Sequence, residues 1–308
     1  MRLRLVDLDR SLTDQPALQQ AVRAGTAQLI DLSDRGDGMR LWASRGQMRH
    51  FAGRLAAAGT PPGTGPTVTF LGSGDYHHLS AALIAEAEGP LTVLHFDNHP
   101  DWVRFPPAYH CGSWINRILD LQQVERVVTI GPCGSDLTRP QLKGGNLGAL
   151  ASGRLEIYPW CHAPSRVWGR IGSGAGHRQD DGYLVWRNVG GPAWTGFIDD
   201  LLARLPTAAV WITIDKDVLA PADATTNWDQ GEMPLAALLQ ALQRIGGARQ
   251  VVGVDVCGDY APPRFRNPLK RVAARFDHPA TAEPGDLDLE RNARTNGLLL
   301  ATLREIAA

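Results

Sequence analysis

Short apolar runs alternating with helical stretches constrain this chain most. Seven runs, Leu3 to Leu8, Thr67 to Leu71, Leu91 to Phe96, Arg126 to Ile130, Leu155 to Tyr158, Val210 to Ile214 and Gln250 to Val256, each close on Gly, Asp or Pro within two residues. Between many of them the pattern predicts helices over His78 to Ala87, Ser113 to Gln123, Thr195 to Leu205 and Leu235 to Ile245, with a last one from Leu287 to Ile306. Strands that are apolar almost throughout are buried on both faces, and their alternation with helices puts those helices over both faces of a parallel sheet. The expected fold is therefore α/β, a three-layer α/β/α domain with a mostly parallel central sheet spanning residues 1–308. The stretch from Cys161 to Pro192 lacks periodicity and is expected to be an irregular surface excursion.

A chain of 308 residues suits one large domain better than several small ones. With 31 Lys+Arg against 32 Asp+Glu, there is no long-range pull toward phosphate backbones or anionic bilayers, so a small-molecule substrate is expected rather than nucleic acid or membrane. The N-terminal residues interleave charges with apolar positions and offer no secretory signal, and runs such as Ala208 to Ile212 fall far short of the roughly 20 residues of a membrane span. Cys111, Cys133, Cys161 and Cys257 form no Cys-x-x-Cys pair, which argues against a disulfide framework and a thiolate zinc site and points to a reducing, cytoplasmic setting. Neither glycine cluster, at 72–74 and 172–176, completes a nucleotide-binding fingerprint, so both read as turns.

The acids are skewed: 24 Asp against 8 Glu. Asp is a good turn residue, helix cap and hard-metal ligand, so its position decides its meaning. Three strands end in candidate ligands: Asp75-Tyr76-His77-His78 follows the second run, Asp97-Asn98-His99-Pro100-Asp101 the third, and Asp215-Lys216-Asp217 the sixth. The carboxyl ends of parallel strands share one edge, where α/β folds bind ligands. Asp97, Asp101, Asp215 and Asp217 gathered there would be prohibitive without cations, and two divalent ions would balance them. Asp215 and Asp217, two residues apart on an extended chain, point the same way and can clamp an ion pair. Asp97 and Asp101 require the chain to curl between them, where Pro100 discourages regular structure. Oxygen-dominated ligands with a few imidazoles favour Mn²⁺, leaving Zn²⁺, Fe²⁺, Co²⁺ and Ni²⁺ open.

These residues resemble the ureohydrolases, the arginase, agmatinase and formiminoglutamase group of the arginase/deacetylase superfamily, from about Thr67 to Asp259. His-Phe-Asp-Asn-His-Pro-Asp at 95–101 is similar to that family's Asp-x-His-x-Asp motif, and Thr-Ile-Asp-Lys-Asp-Val-Leu-Ala-Pro at 213–221 to its Ser-x-Asp-x-Asp-x-x-Asp-Pro motif. The resemblance implies an arginase-like fold and two metal ions, with Asp97 and Asp215 bridging them, Asp101 completing one site, and His99 with Asp217 completing the other. A further ligand is implied from the altered first motif, His77 ahead of His78. His110 matches a mobile histidine that shuttles protons, and Asp255 an acid that binds the substrate guanidinium. Asp217 is also a candidate to stabilise the tetrahedral intermediate.

Departures concern substrate choice. Trp102-Val103 stands where arginases carry an Asn, and Thr225 to Gly231 replaces a Pro-Gly-Thr-Gly-Thr-Pro stretch. Arginine is thus a poorer expectation than another guanidino or amidino compound, with Trp102 and Trp228 as candidate substrate-binding walls. The expected activity is hydrolysis of a linear amidine C–N bond, with release of urea. A single-metal amide deacetylase and a non-catalytic binding protein on the same fold are the alternatives. The resemblance implies a homo-oligomer without fixing its size.

Overall fold

All seven expected strands form in the computed structural model, which describes residues 1–104, 109–278 and 285–307. In chain order the main sheet comprises β1 (Arg2–Asp7), β2 (Ala27–Asp31), β3 (Thr67–Phe70), β4 (Leu91–Phe96), β5 (Val124–Ile130), β6 (Leu155–Tyr158), β7 (Ala209–Asp215) and β8 (Gln250–Cys257). Their order across the sheet is 2-1-3-8-7-4-5-6, and every ladder is parallel. β2 was not expected: it is a five-residue edge strand, Ala-Gln-Leu-Ile-Asp, in which only Ala27 and Ile30 are buried, so it lacks the continuous apolar run that marks the central strands.

The sheet separates two apolar cores. Alternate residues of one strand serve opposite faces, so Leu94 and Phe96 of β4 join one core while Leu91 and Val93 join the other. The first core takes the buried sides of helices Pro16–Arg23, Trp194–Arg204, Leu235–Ala248 and Asp286–Ile306. The second takes Arg45–Ala58, Ser80–Ala85, Ile115–Leu119 and Leu147–Ala151. This is the expected three-layer α/β/α arrangement.

Two local expectations are corrected. The helix expected from His78 begins later, because Gly74–Leu79 forms a tight 3₁₀ turn before Ser80–Ala85. The 161–192 excursion holds a three-stranded antiparallel sheet, in which Ser165–Arg166 and His177–Asp180 flank Tyr183–Trp186. Asp181 and Gly182, at φ of 42° and 76°, form its two-residue hairpin loop, an Asp-Gly pair suited to two positive φ values.

Candidate metal centre

Register across the central strands lays down two polar rows on one face of the sheet. In the first, Asp255 of β8 pairs with Thr213 of β7, Thr213 with His95 of β4, and His95 with Thr129 of β5. One pleat further toward the carboxyl edge, Cys257 pairs with Asp215, and Asp97 follows His95 by two residues. The first row is the floor of the site and the second carries ligands.

Loops complete the ligand set. The Gly74–Leu79 turn brings His77 over the sheet edge, and the chain after Asp97 curls as its spacing requires, with Asp101 at φ 48°. His77 Nδ1 lies 3.0 Å from Asp97 Oδ2, 3.5 Å from Asp101 Oδ2 and 3.6 Å from Asp215 Oδ2. None of these contacts has hydrogen-bond geometry, so a fully buried ring nitrogen faces three carboxylates without a proton-sharing partner. The other side of the ring explains why. Thr213 Oγ1 donates its single proton to Asp255 Oδ1 at 2.7 Å, so at 2.8 Å from His77 Nε2 it accepts from that nitrogen. The His77 proton is thereby held on Nε2, and the Nδ1 lone pair points into the cluster.

His99, on the solvent side, is instead partnered at both ring nitrogens. Its Nε2 is bonded to Asp229 Oδ1 at 2.9 Å and its Nδ1 to Asp217 Oδ2 at 3.0 Å, with Nδ1 also 3.5 Å from Asp97 Oδ1. The carboxylates are steered by local donors: the backbone N–H of His99 to Asp97 Oδ1, that of Asp217 to Asp215 Oδ1, that of Asn98 to Asp217 Oδ1, and the Trp114 indole to Asp101 Oδ2. Each of Asp97, Asp101, Asp215 and Asp217 is buried. Burial and neighbouring carboxylates push Asp101 and Asp217 well above the ordinary range, so the four cannot all be ionised without added positive charge. Donors fall into groups close enough to share a cation: His77, His95, Asp97 and Asp101 on one side, Asp97, His99 and Asp217 on the other, and His77, Asp215 and Cys257 behind them. The lone pair on His77, the frustrated carboxylates and this oxygen-rich set fit two divalent cations.

A cavity of about 620 Å³ opens over the cluster, lined by His77, Asp97, His99, Asp101, Asp215 and Asp217. His110, Trp42 and Trp228 form its walls, the His110 ring stacking on Trp42 at 5.8 Å and Trp228 standing edge-on to His99 at 5.5 Å. Gly112 N–H donates to His110 Nδ1 at 3.0 Å, which places the proton of the neutral ring on Nε2. Burial lowers the His110 imidazolium to about 4. Asp136 and Lys143, paired at 3.0 Å, complete the polar rim.

Of the expected site residues, three sit elsewhere. Asp255 does not line the cavity: being two residues short of the end of β8, it belongs to the floor row, where Ser80, Thr213 and Trp211 donate to it at 2.6, 2.7 and 2.6 Å. Trp102 is fully buried against Gly145 and also lies outside the cavity lining. His78, the alternative to His77, is buried with neither ring nitrogen partnered, and does not line the cavity. Sequence reasoning passed over His95, although the strand period of two places it on the same face as Asp97. It also passed over Cys257, whose Sγ donates to Asp215 Oδ2 at 3.3 Å, and Asp229, which lies too far along the chain from His99 for spacing to connect them.

The fold and the cluster together define an arginase-like α/β/α protein with a His/Asp centre able to hold two metal ions. No family model matches the sequence. An uncharacterized protein of Thermotoga maritima is 30% identical over 198 residues, which cover 64% of this chain; the chain spans about 60% of the length of that curated relative. Among solved structures, proclavaminate amidino hydrolase from Streptomyces clavuligerus superposes with a TM-score of 0.57 at 15% identity, over 100% of this chain and 92% of that one. Arginase from Bacillus cereus gives 0.57 at 13% identity over 98% of both chains. The agmatine ureohydrolase of Thermoplasma volcanium gives 0.54 at 12% identity over 99% and 89%. At these identities the likeness establishes the fold. No helix among the described residues is long and apolar enough to cross a membrane.

Proposed function

We propose that residues 1–308 form one catalytic unit, a binuclear metal-dependent hydrolase that cleaves a C–N bond of a linear guanidino or amidino compound and releases urea from guanidines. The observation that carries this reading is the His77 Nδ1 lone pair, fixed by Thr213 and aimed among Asp97, Asp101 and Asp215. His77, Asp97, Asp101 and Asp215 would hold one ion, and Asp97, His99, Asp215 and Asp217 the other, with Mn²⁺ favoured by the donor set. When bound, the ions supply a hydroxide nucleophile at neutral pH, which a poorly electrophilic guanidine carbon requires.

The chain's own residues bind and orient the substrate. Trp42 and Trp228 offer aromatic walls to a planar cation entering the cavity. Asp217, on the cavity wall, accepts from amidine N–H groups as they turn tetrahedral. Neutral His110 presents Nε2–H to the departing amine, and can relay a proton by taking one up on Nδ1 as the Gly112 bond releases. Val103 on the wall, in place of a polar side chain, supports a substrate other than arginine. Asp101, placed beside His77 and Asp97, supports two ions over the single-metal deacetylase. The scattered cysteines of the sequence favour a reducing, cytoplasmic setting. The test is to load the purified protein with manganese and incubate it with a panel of guanidino and amidino compounds. Urea or ammonia from at least one member is expected; none from any would overturn the proposal.

A further inference from the structure

The carboxyl edge that carries the hydrolytic cluster carries a second set of donors, and these are soft. Cys133 follows β5 and Cys161 follows β6, so adjacent parallel strands bring together two thiols that lie 28 residues apart in sequence. Cys161 Sγ is 4.0 Å from Cys133 Sγ and 3.3 Å from Glu232 Oε2, and the three donor atoms all lie within 4.8 Å of one another. We propose that Cys133, Cys161 and Glu232 form a zinc-type cation site, distinct from the hydrolytic centre and completed by solvent.

Geometry separates this from a disulfide. Metal–sulfur bonds of about 2.3 Å and a metal–oxygen bond of about 2.0 Å at tetrahedral angles put two sulfurs about 3.8 Å apart, and a sulfur and an oxygen about 3.5 Å apart. The observed separations sit close to both values, whereas a disulfide needs the sulfurs at about 2.05 Å, a closure of nearly 2 Å. Backbone hydrogen bonds anchor both loops at the observed spacing. Cys133 N–H is bound to Asn98 Oδ1 at 3.0 Å, and Trp160 N–H, next to Cys161, is bound to Pro132 O at 3.1 Å. The preceding Gly231 N–H donates to Asp217 O, which anchors the third loop, that of Glu232, beside them. A cation here ties together the loops after β5, β6 and β7. None of its three ligands lines the hydrolytic cavity. Two thiolates and one carboxylate select a borderline-soft ion, in contrast to the oxygen-rich centre nearby.

The test uses the full chain, purified under reducing conditions, stripped with a chelator and titrated with Co²⁺ and then Zn²⁺. A thiolate-to-cobalt absorption band should saturate at the intensity of one two-thiolate site per chain and be displaced by zinc. It should survive Cys257→Ser and vanish in Cys133→Ser and Cys161→Ser. Glu232→Gln should weaken zinc binding by about tenfold or more, since even outer partners of a metal site contribute that much. If a cysteine variant fails to fold, zinc should still protect Cys133 and Cys161 of the unaltered protein from alkylation, read by mass spectrometry. No cobalt band, a band that depends on Cys257, unprotected thiols, or a Cys133–Cys161 disulfide in zinc-replete protein would each overturn the site. Asp97→Asn should leave the cobalt band intact, so failure of the hydrolytic reading and failure of this one are distinguishable.

Discussion

His110 shows how one side chain is set by its surroundings. Burial lowers its imidazolium from the usual 6.5 to about 4, with Lys270 adding to the effect and Asp75 opposing it. The unfolded chain therefore binds the proton first as pH falls. Stability from the neutral ring is complete above about pH 6.5, is lost as pH drops toward 4, and falls no further below that. In chelated protein, His110→Phe should flatten the stability profile between pH 6.5 and 4 by on the order of 2 kcal/mol, after allowing for the ring's partial exposure. Urea midpoints across that range measure it; parallel profiles for the two proteins would contradict the assignment. The position of His110 in the cavity was legible from its match to a motif. Its tautomer was not, because that depends on a backbone N–H two residues away.

Strands and turns set the precision of the centre. Gly74 opens the 3₁₀ turn that delivers His77, and a Cβ placed there would stand 2.5 Å from Asp215 Oδ2. Gly74→Ala should therefore push Asp215 aside and weaken manganese binding by about tenfold or more, as displaced metal-site partners do. Calorimetric titration reads this directly, and unchanged affinity would show that the turn yields without disturbing the carboxylate. At this scale the central strands could be read from the sequence because each is apolar almost throughout. β2 and the helices Pro16–Arg23, Ser33–Met39 and Arg45–Ala58 escaped, their polar or glycine-containing stretches being held by tertiary packing. Asp255 was misplaced for a related reason: sequence showed a carboxylate near the end of a strand, but only register distinguishes the floor row from the ligand row two residues on.

For the whole molecule, a parallel sheet turns separations along the chain into proximity at one edge. His77, Asp97 and Asp215 come from the carboxyl ends of three different strands, yet both carboxylates lie within 3.6 Å of the His77 Nδ1. That convergence was legible because strand ends in this architecture share an edge; the Cys133–Cys161 pair was missed because spacing rules for thiolate sites look for neighbours in sequence. The same edge gathers four buried carboxylates, a charge that folding tolerates with cations in place. The most direct measurement is a crystal structure of the protein soaked in Mn²⁺, with anomalous scattering locating the ions. Two peaks are expected, one touching His77 Nδ1 with Asp97, Asp101 and Asp215, the other touching His99 Nδ1 with Asp97, Asp215 and Asp217. A single peak, or none in contact with His77, would contradict it.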